Sequence, residues 1–279
     1  MSTVVWCLFD SGNGSYSTCL TRLNREHVWT TEFYAVGLDK MGKNTHFIEL
    51  NLADYSRLFN DDNLFTRLDN LPHPDVIIAS PPCESWSVAS AMRGGNACWK
   101  RETVDSLFEP QTPLTRFSIR ARRDYDNVQF KYDKSFLNRI NGELCAYNTV
   151  EIIKRYKPHV FVIENPLSSR IWEYIQTIQG FKLPYLNKTY YSNYDYPIAK
   201  ATIFASNIAL NLDATPNSTG LSMGVWTKDY NLRSDIPQAL CEQIFMTIHT
   251  FLSQHKETIN ARQVMRASTN KGNEYEKQQ

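Results

Sequence analysis

The chain has 279 residues, enough for one large domain or two small ones with a buried core. Its 30 Lys and Arg stand against 29 Asp and Glu, a net charge of +1, which excludes a global basic field as the means of holding nucleic acid. Hydrophobic residues make up 42% and aromatics 13%, which excludes a disordered chain.

Cys7, Cys19, Cys83, Cys98, Cys145 and Cys241 show no Cys-x-x-Cys spacing and no cysteine–histidine cluster, so no metal site is expected. No secretory signal opens the sequence and no apolar run approaches the length of about 18 residues that spans a bilayer. The expected setting is soluble, reducing and cytoplasmic, with no membrane partner.

Val4 to Phe9 is a continuous apolar run, which predicts a first buried strand. It flows into Asp10-Ser11-Gly12-Asn13-Gly14-Ser15, where two alternate glycines let the backbone turn tightly and approach a ligand. A helix is expected from about Tyr16 to Glu26. The run Glu32 to Asp39 predicts a second strand ending in an acid, the place where nucleoside-binding α/β folds hold ribose hydroxyls. The alternative is an ordinary tight turn and a solvated Asp39. A short third strand is expected within Thr45–Leu52, with Asn51 at its end, and helical spacing runs from Asp54 to Leu68.

Pro74-Asp75-Val76-Ile77-Ile78-Ala79 then predicts a buried strand that runs into Ser80-Pro81-Pro82-Cys83-Glu84-Ser85-Trp86-Ser87. Neither proline can donate to a sheet ladder, so the strand ends there and the chain turns. Cys83 is thereby delivered to the carboxyl edge of a sheet, where ligands of open α/β folds sit, and becomes a candidate nucleophile. Its other reading is a small buried hydrophobe.

From Arg93 to Leu144 periodicity is lost. Between Arg116 and Arg139, seven basic residues (Arg116, Arg120, Arg122, Arg123, Lys131, Lys134, Arg139) face three acids (Asp124, Asp126, Asp133), a local excess of four. Phe117, Tyr125, Phe130 and Tyr132 interleave with them. A long irregular insertion of this kind is either functional or a solvated surface loop. Glu143 to Tyr156 reads as an amphipathic helix stopped by Pro158, and His159–Ile163 as a buried strand ending in Glu164-Asn165-Pro166. A glutamate after a fully apolar strand is costly to bury unless it is used or paired. The alternative is a helix-capping role for Glu164 and Asn165. A helix is expected over Ser169–Gln179 and strand-like residues over Lys188–Asn207. A strong helix is expected over Ile236–Ser253, opened by Asp235 as cap with Pro237 in its first turn. Residues 1–255 are read as one catalytic domain, with residues 93–139 as an insertion that could contact DNA, and 256–279 as a polar tail.

Three strand ends now carry chemistry. A thiolate at Cys83 can add to an electron-poor ring carbon, and a carboxylic acid at Glu164 can protonate the ring nitrogen that takes up the charge. Ser80-Pro81-Pro82-Cys83 with Ser87, followed by Glu164-Asn165-Pro166, resembles the cytosine-5 DNA methyltransferases, especially their short phage-type members. Weaker matches lie in Ser11–Ser15, Tyr196–Asn207 and Ser234–Leu240, so that the resemblance runs over roughly residues 4–252. It implies a doubly wound, Rossmann-like α/β sheet that binds S-adenosylmethionine. It implies that Cys83 attacks C6 of a cytosine flipped out of DNA and that Glu164 protonates N3, with Asn165 and Lys200 in the same site. Asp10, Ser11, Gly12, Gly14, Ser15, Asp39, Asn51 and Pro81 would line the cofactor, with Asp54 as the alternative to Asn51 beside the adenine. Ser87, Arg116, Arg120, Arg122 and Arg123 would contact DNA.

The sequence departs from that family in three places. Asp10 stands where members usually have Phe. Lys200 stands without the arginine usually found near Ala199. The stretch between Asn207 and Ser234 is too short for a separate target-recognition domain, so target reading is expected from residues 93–139 or from a partner protein. Three further readings accompany the leading one. They are a catalytically silent binding protein with the same fold, an RNA cytosine-5 methyltransferase, and an amino-methyltransferase; the last requires a base-stacking aromatic after the prolines, where this chain has Cys83.

Overall fold

Apolar, β-branched runs form buried strands wherever both faces of a sheet are covered, and four such runs lie in parallel at the centre of the sheet. The computed structural model describes residues 2–11, 14–38, 46–86, 99–100, 109–110, 119–122, 125–129, 132–221 and 234–254. For the short strands between 99 and 129, and for residues 132–135, the description is of the backbone alone. A seven-stranded sheet has the order β10–β11–β9–β4–β1–β2–β3. Its strands are β1 (Thr3–Leu8), β2 (Thr31–Gly37), β3 (Phe47–Glu49), β4 (Val76–Ala79), β9 (Val160–Pro166), β10 (Tyr185–Tyr190) and β11 (Ala201–Ser206). β3, β2, β1, β4 and β9 are mutually parallel, and β11 is antiparallel to both of its neighbours. This is the doubly wound α/β sheet expected from the sequence.

The period-2 alternation of the strands divides the core into two layers. Val76 and Ile78 of β4, with Val160 and Val162 of β9, face helix α1 (Ser15–Arg25) and the last helix α5 (238–254). Ile77 and Ala79, with Phe161 and Ile163, face α2 (Asn63–Leu68), α3 (Tyr132–Tyr156) and α4 (Ile171–Glu173). From β1 the chain goes outward to β2 and β3. It then returns through β4 to build the other half, so the topological switch point lies between β1 and β4.

Several local expectations change. The helical spacing of Asp54–Leu68 resolves into a 3₁₀ turn (Ser56–Phe59) and the short α2, because Asn60 takes a left-handed conformation at φ 59° and breaks the run. The segment after Arg93 holds two short antiparallel pairs, β5 (Trp99–Lys100) with β6 (Glu109–Pro110) and β7 (Ile119–Arg122) with β8 (Tyr125–Gln129). α3 begins at Tyr132 rather than at Glu143 and runs straight through Gly142. In α5 the first helical hydrogen bond runs from Cys241 N–H to the Pro237 carbonyl at 3.0 Å, so the cap position falls on Pro237 rather than Asp235. Among the described residues, no helix is long and apolar enough to cross a membrane.

Gly142 looks like a helix breaker in sequence, but α3 needs it for packing. A Cβ there would stand 2.5 Å from the Ser85 Cβ, closer still to the Ser85 hydroxyl, and 3.3 Å from Trp86 Nε1. Ser85 is itself held, its hydroxyl donating to the Asn138 carbonyl of α3. Gly142→Ala gains roughly 1 kcal/mol of helix propensity, but overpacking costs about 1–3 kcal/mol. The expected result is a lower urea midpoint at unchanged m-value. A raised midpoint would show that α3 does not sit this closely on the turn after Cys83.

Candidate active site

The site is built where β1 and β4 end, on either side of the switch point. β1 stops because Phe9 turns left-handed at φ 64°. That turn breaks the strand alternation and sends the Phe9 ring to the α3 face instead of the α1 face. Asp10 follows, buried, and its carboxylate closes the start of α1. Oδ1 accepts from the Gly14 N–H at 3.3 Å and the Ser17 hydroxyl at 2.9 Å, and Oδ2 from the Ser17 N–H at 3.3 Å. A negative group is favourable at a helix N-terminus. Gly14 is glycine for this reason, since a Cβ there would lie 2.8 Å from the Asp10 carboxylate.

β4 ends at Ala79, where Pro81 and Pro82 remove the N–H groups that could continue the ladder. Side chains from both layers hold the turn instead. The Asn165 Nδ2 donates to the Pro81 carbonyl at 2.8 Å, and the Ser80 and Tyr16 hydroxyls share a hydrogen bond of 2.8 Å. The register explains the first contact. Ala79 pairs with Ile163, so Ser80 is level with Glu164 and Pro81 with Asn165. Cys83 emerges from this turn half-buried.

Glu164 does not lie past the end of its strand, as expected, but inside β9, paired with Phe204 of β11. The antiparallel β11 carries β9 three residues beyond its pairing with β4. Glu164 is 8% exposed, on the α1 and α5 face. The Tyr191 hydroxyl donates to its Oε1 at 3.3 Å, and the Lys200 ammonium lies 4.7 Å from the centroid of the Tyr191 ring. Burial pushes the Cys83 thiol above its ordinary pKa; the Glu164 charge pushes it further, and Lys200 opposes them. Burial and then Glu164 likewise push the Tyr16 and Tyr191 hydroxyls well up. Glu164 thus sits within electrostatic reach of Cys83, Tyr16 and Tyr191, and Lys200 within reach of Cys83.

The structure therefore brings together Cys83, Glu164, Asn165 and Lys200. Several other predicted residues carry structural contacts of their own. The Asp10 carboxylate is committed to α1. The Ser15 hydroxyl accepts from the Ile236 N–H at 2.9 Å, tying α1 to the chain entering α5. The Pro81 carbonyl is taken by Asn165. Asn51 lies exposed beyond β3 with its Oδ1 on the Ala53 N–H at 2.9 Å, and Asp54 accepts from the Ser56 hydroxyl at 2.7 Å. Ser11 is half-exposed beside the loop. Gly12, Asp39, Ser87, Arg116 and Arg123 lie outside the described residues, as do the side chains of Arg120 and Arg122 on β7. Tyr16 and Tyr191 were not singled out as site residues in the sequence; tyrosines in a chain with fifteen of them carry no local mark. Among the described residues, no cluster of three or more His, Cys, Asp or Glu is placed to hold a metal ion.

No protein-family model matches the chain. No curated protein matches it either. Among solved structures it is similar to one described as a ribosomal RNA methyltransferase from Plasmodium falciparum, at 11% identity and a TM-score of 0.36, covering 74% of this chain and 86% of that one. The fold stands on its own strand order and register, a Rossmann-like sheet consistent with the methyltransferase fold.

The opposing effects of Glu164 and Lys200 give a direct test of the geometry. Glu164→Gln removes the negative charge that raises the Cys83 pKa, so more thiolate is present at a given pH and alkylation of Cys83 should accelerate. Lys200→Gln removes the compensating positive charge and should slow it. Iodoacetamide labelling across pH 7–10, read at the Cys83 peptide by mass spectrometry, checks both. Equal rates in all three proteins would separate Cys83 from Glu164 and Lys200.

Proposed function

We propose that the chain transfers a methyl group from S-adenosylmethionine to C5 of cytosine in DNA, as a member of the cytosine-5 methyltransferase class. The observation that supports this most directly is the pairing, at the topological switch point, of a half-buried thiol with a buried carboxyl within electrostatic reach of it. The Glu164 charge opposes the Cys83 thiolate and the Lys200 charge favours it. When the ring nitrogen N3 lies against a protonated Glu164, the charge opposing the Cys83 thiolate is gone and Lys200 favours it. Sγ then adds to C6, the C5–C6 π pair moves toward N3, and N3 takes the Glu164 proton. C5 becomes nucleophilic. After methyl transfer, loss of the C5 proton to solvent expels Sγ from C6 and restores the double bond, and N3 returns its proton to Glu164.

The residues present fit the cofactor. The N-terminus of α1, which binds phosphate in dinucleotide folds, is filled here by the Asp10 carboxylate. That disfavours an anionic cofactor and suits one that carries a cationic sulfonium and no phosphate. Asn165 leaves its Oδ1 buried and without a partner among the described residues, an acceptor available to a donor on a bound molecule. Gly14, Ser11 and Asp39 are proposed to hold the cofactor, which when bound supplies the electrophilic methyl group. Target reading is assigned to residues 93–139, with Arg120, Arg122 and Arg123 as the first contacts, or to a partner protein.

Varied-sequence duplex DNA containing 5-fluoro-2′-deoxycytidine tests the proposal, because fluorine cannot leave as a proton does. With S-adenosylmethionine, an SDS-resistant adduct is expected from the wild type and none from Cys83→Ser. An adduct that survives in Cys83→Ser would place the nucleophile elsewhere. Adducts only with fluorinated RNA would make RNA the substrate, and none with either would leave a binding protein.

A further inference from the structure

We infer that Tyr191 is the positioning residue of the site, holding the Glu164 carboxyl through its hydroxyl so that one fixed oxygen is presented for proton transfer. This rests on the reading of Glu164 as the proton donor above. Tyr191 lies at the start of the 3₁₀ turn Tyr191–Tyr194 that joins β10 to β11, and it is fully buried. Its backbone is pinned, the N–H donating to the Lys200 carbonyl at 3.1 Å. Its ring is pinned as well. Tyr196 meets it edge-on at 5.4 Å between centroids and 88°, and the Lys200 ammonium lies 4.7 Å from its centroid. A phenol held on three sides has little freedom left, and its hydroxyl donates to Glu164 Oε1 at 3.3 Å while the Thr202 hydroxyl bonds it from β11. A carboxyl with one oxygen so engaged has a fixed plane, leaving Oε2 as the oxygen for a substrate atom.

Every packed element contributes a group around this carboxyl. Tyr191 comes from the β10–β11 turn, Tyr16 from α1, Cys83 from the end of β4 and Cys241 from α5. Tyr16 is spent on Ser80 and Cys241 is a fully buried thiol. Among the described side chains with a hydrogen bond to Glu164, Tyr191 is the donor. Loss of the hydroxyl therefore frees the carboxyl to rotate.

Tyr191→Phe removes the hydroxyl and keeps the ring between Tyr196 and Lys200. The test is NMR at a single pH of protein labelled with ¹³C at the glutamate carboxyls, with the Glu164 signal identified by its loss in Glu164→Gln. That signal should move in Tyr191→Phe, because the hydrogen bond to its Oε1 is gone. In steady-state methylation, kcat should fall roughly tenfold, the loss expected from one hydrogen bond to a charged group, with the KM for DNA unchanged. An unmoved Glu164 signal in Tyr191→Phe overturns the inference. So does a loss confined to KM. If the wild type transfers no methyl group at all, the proposed function fails, and the NMR comparison still decides whether Tyr191 holds Glu164.

Discussion

The contact on which the site depends is the hydrogen bond from Asn165 Nδ2 to the Pro81 carbonyl. A sheet positions its strand ends through backbone ladders, and two consecutive prolines abolish the ladder just where Cys83 must be placed. A side chain then registers the turn against the next strand. Asn165 does this because β9 continues past β4, and β9 continues because the antiparallel β11 supports it on its other side. The reversed strand near the edge of the sheet thus has a local consequence at its centre. The bond is buried, and a typical buried hydrogen bond contributes about 1 kcal/mol. Its larger effect is geometric, since it sets where Cys83 lies relative to Glu164.

The two faces of the sheet divide the work. On the α3 side, the turn after Cys83 is clamped between Gly142 and the Trp86 ring, which packs against Tyr174 at 4.8 Å between centroids. On the α1 and α5 side, strand alternation aims Glu164 and Ser80 at Tyr16 and Tyr191. One layer fixes the backbone that carries the nucleophile, and the other tunes the charge opposite it. Asp10 belongs to neither function directly. It closes α1 with its own carboxylate and so decides which cofactor charge the loop will tolerate.

The doubly wound sheet was legible because its strands are short, β-branched and bounded by glycine, proline or acid, which local pattern reports well. Cys83 was legible because it follows two prolines at the end of such a run, and Glu164 because an acid directly follows a fully apolar one. What could not be read depends on distant partners. The hydrogen bonds of Tyr16 to Ser80 and of Tyr191 to Glu164 span 64 and 27 positions. The helix was read from Glu143, whereas α3 starts at Tyr132 and uses Gly142 to approach the turn at Ser85. Asp10 was read from its loop alone, and its hydrogen bonds to Gly14 and Ser17 become visible only once α1 has a defined first turn. Asn60 ended a helix early through a left-handed backbone that periodicity does not encode.

The most direct measurement is isotopic. Purified protein is incubated with S-adenosylmethionine bearing a deuterated methyl group and with mixed DNA and RNA, which are then digested to nucleosides and analysed by mass spectrometry. The expected result is deuterated methyl in 5-methyl-2′-deoxycytidine, lost in Glu164→Gln. Label in an exocyclic amine of adenine or cytosine would contradict the account, because that chemistry needs neither the Cys83 thiol nor the Glu164 carboxyl that the sheet brings together.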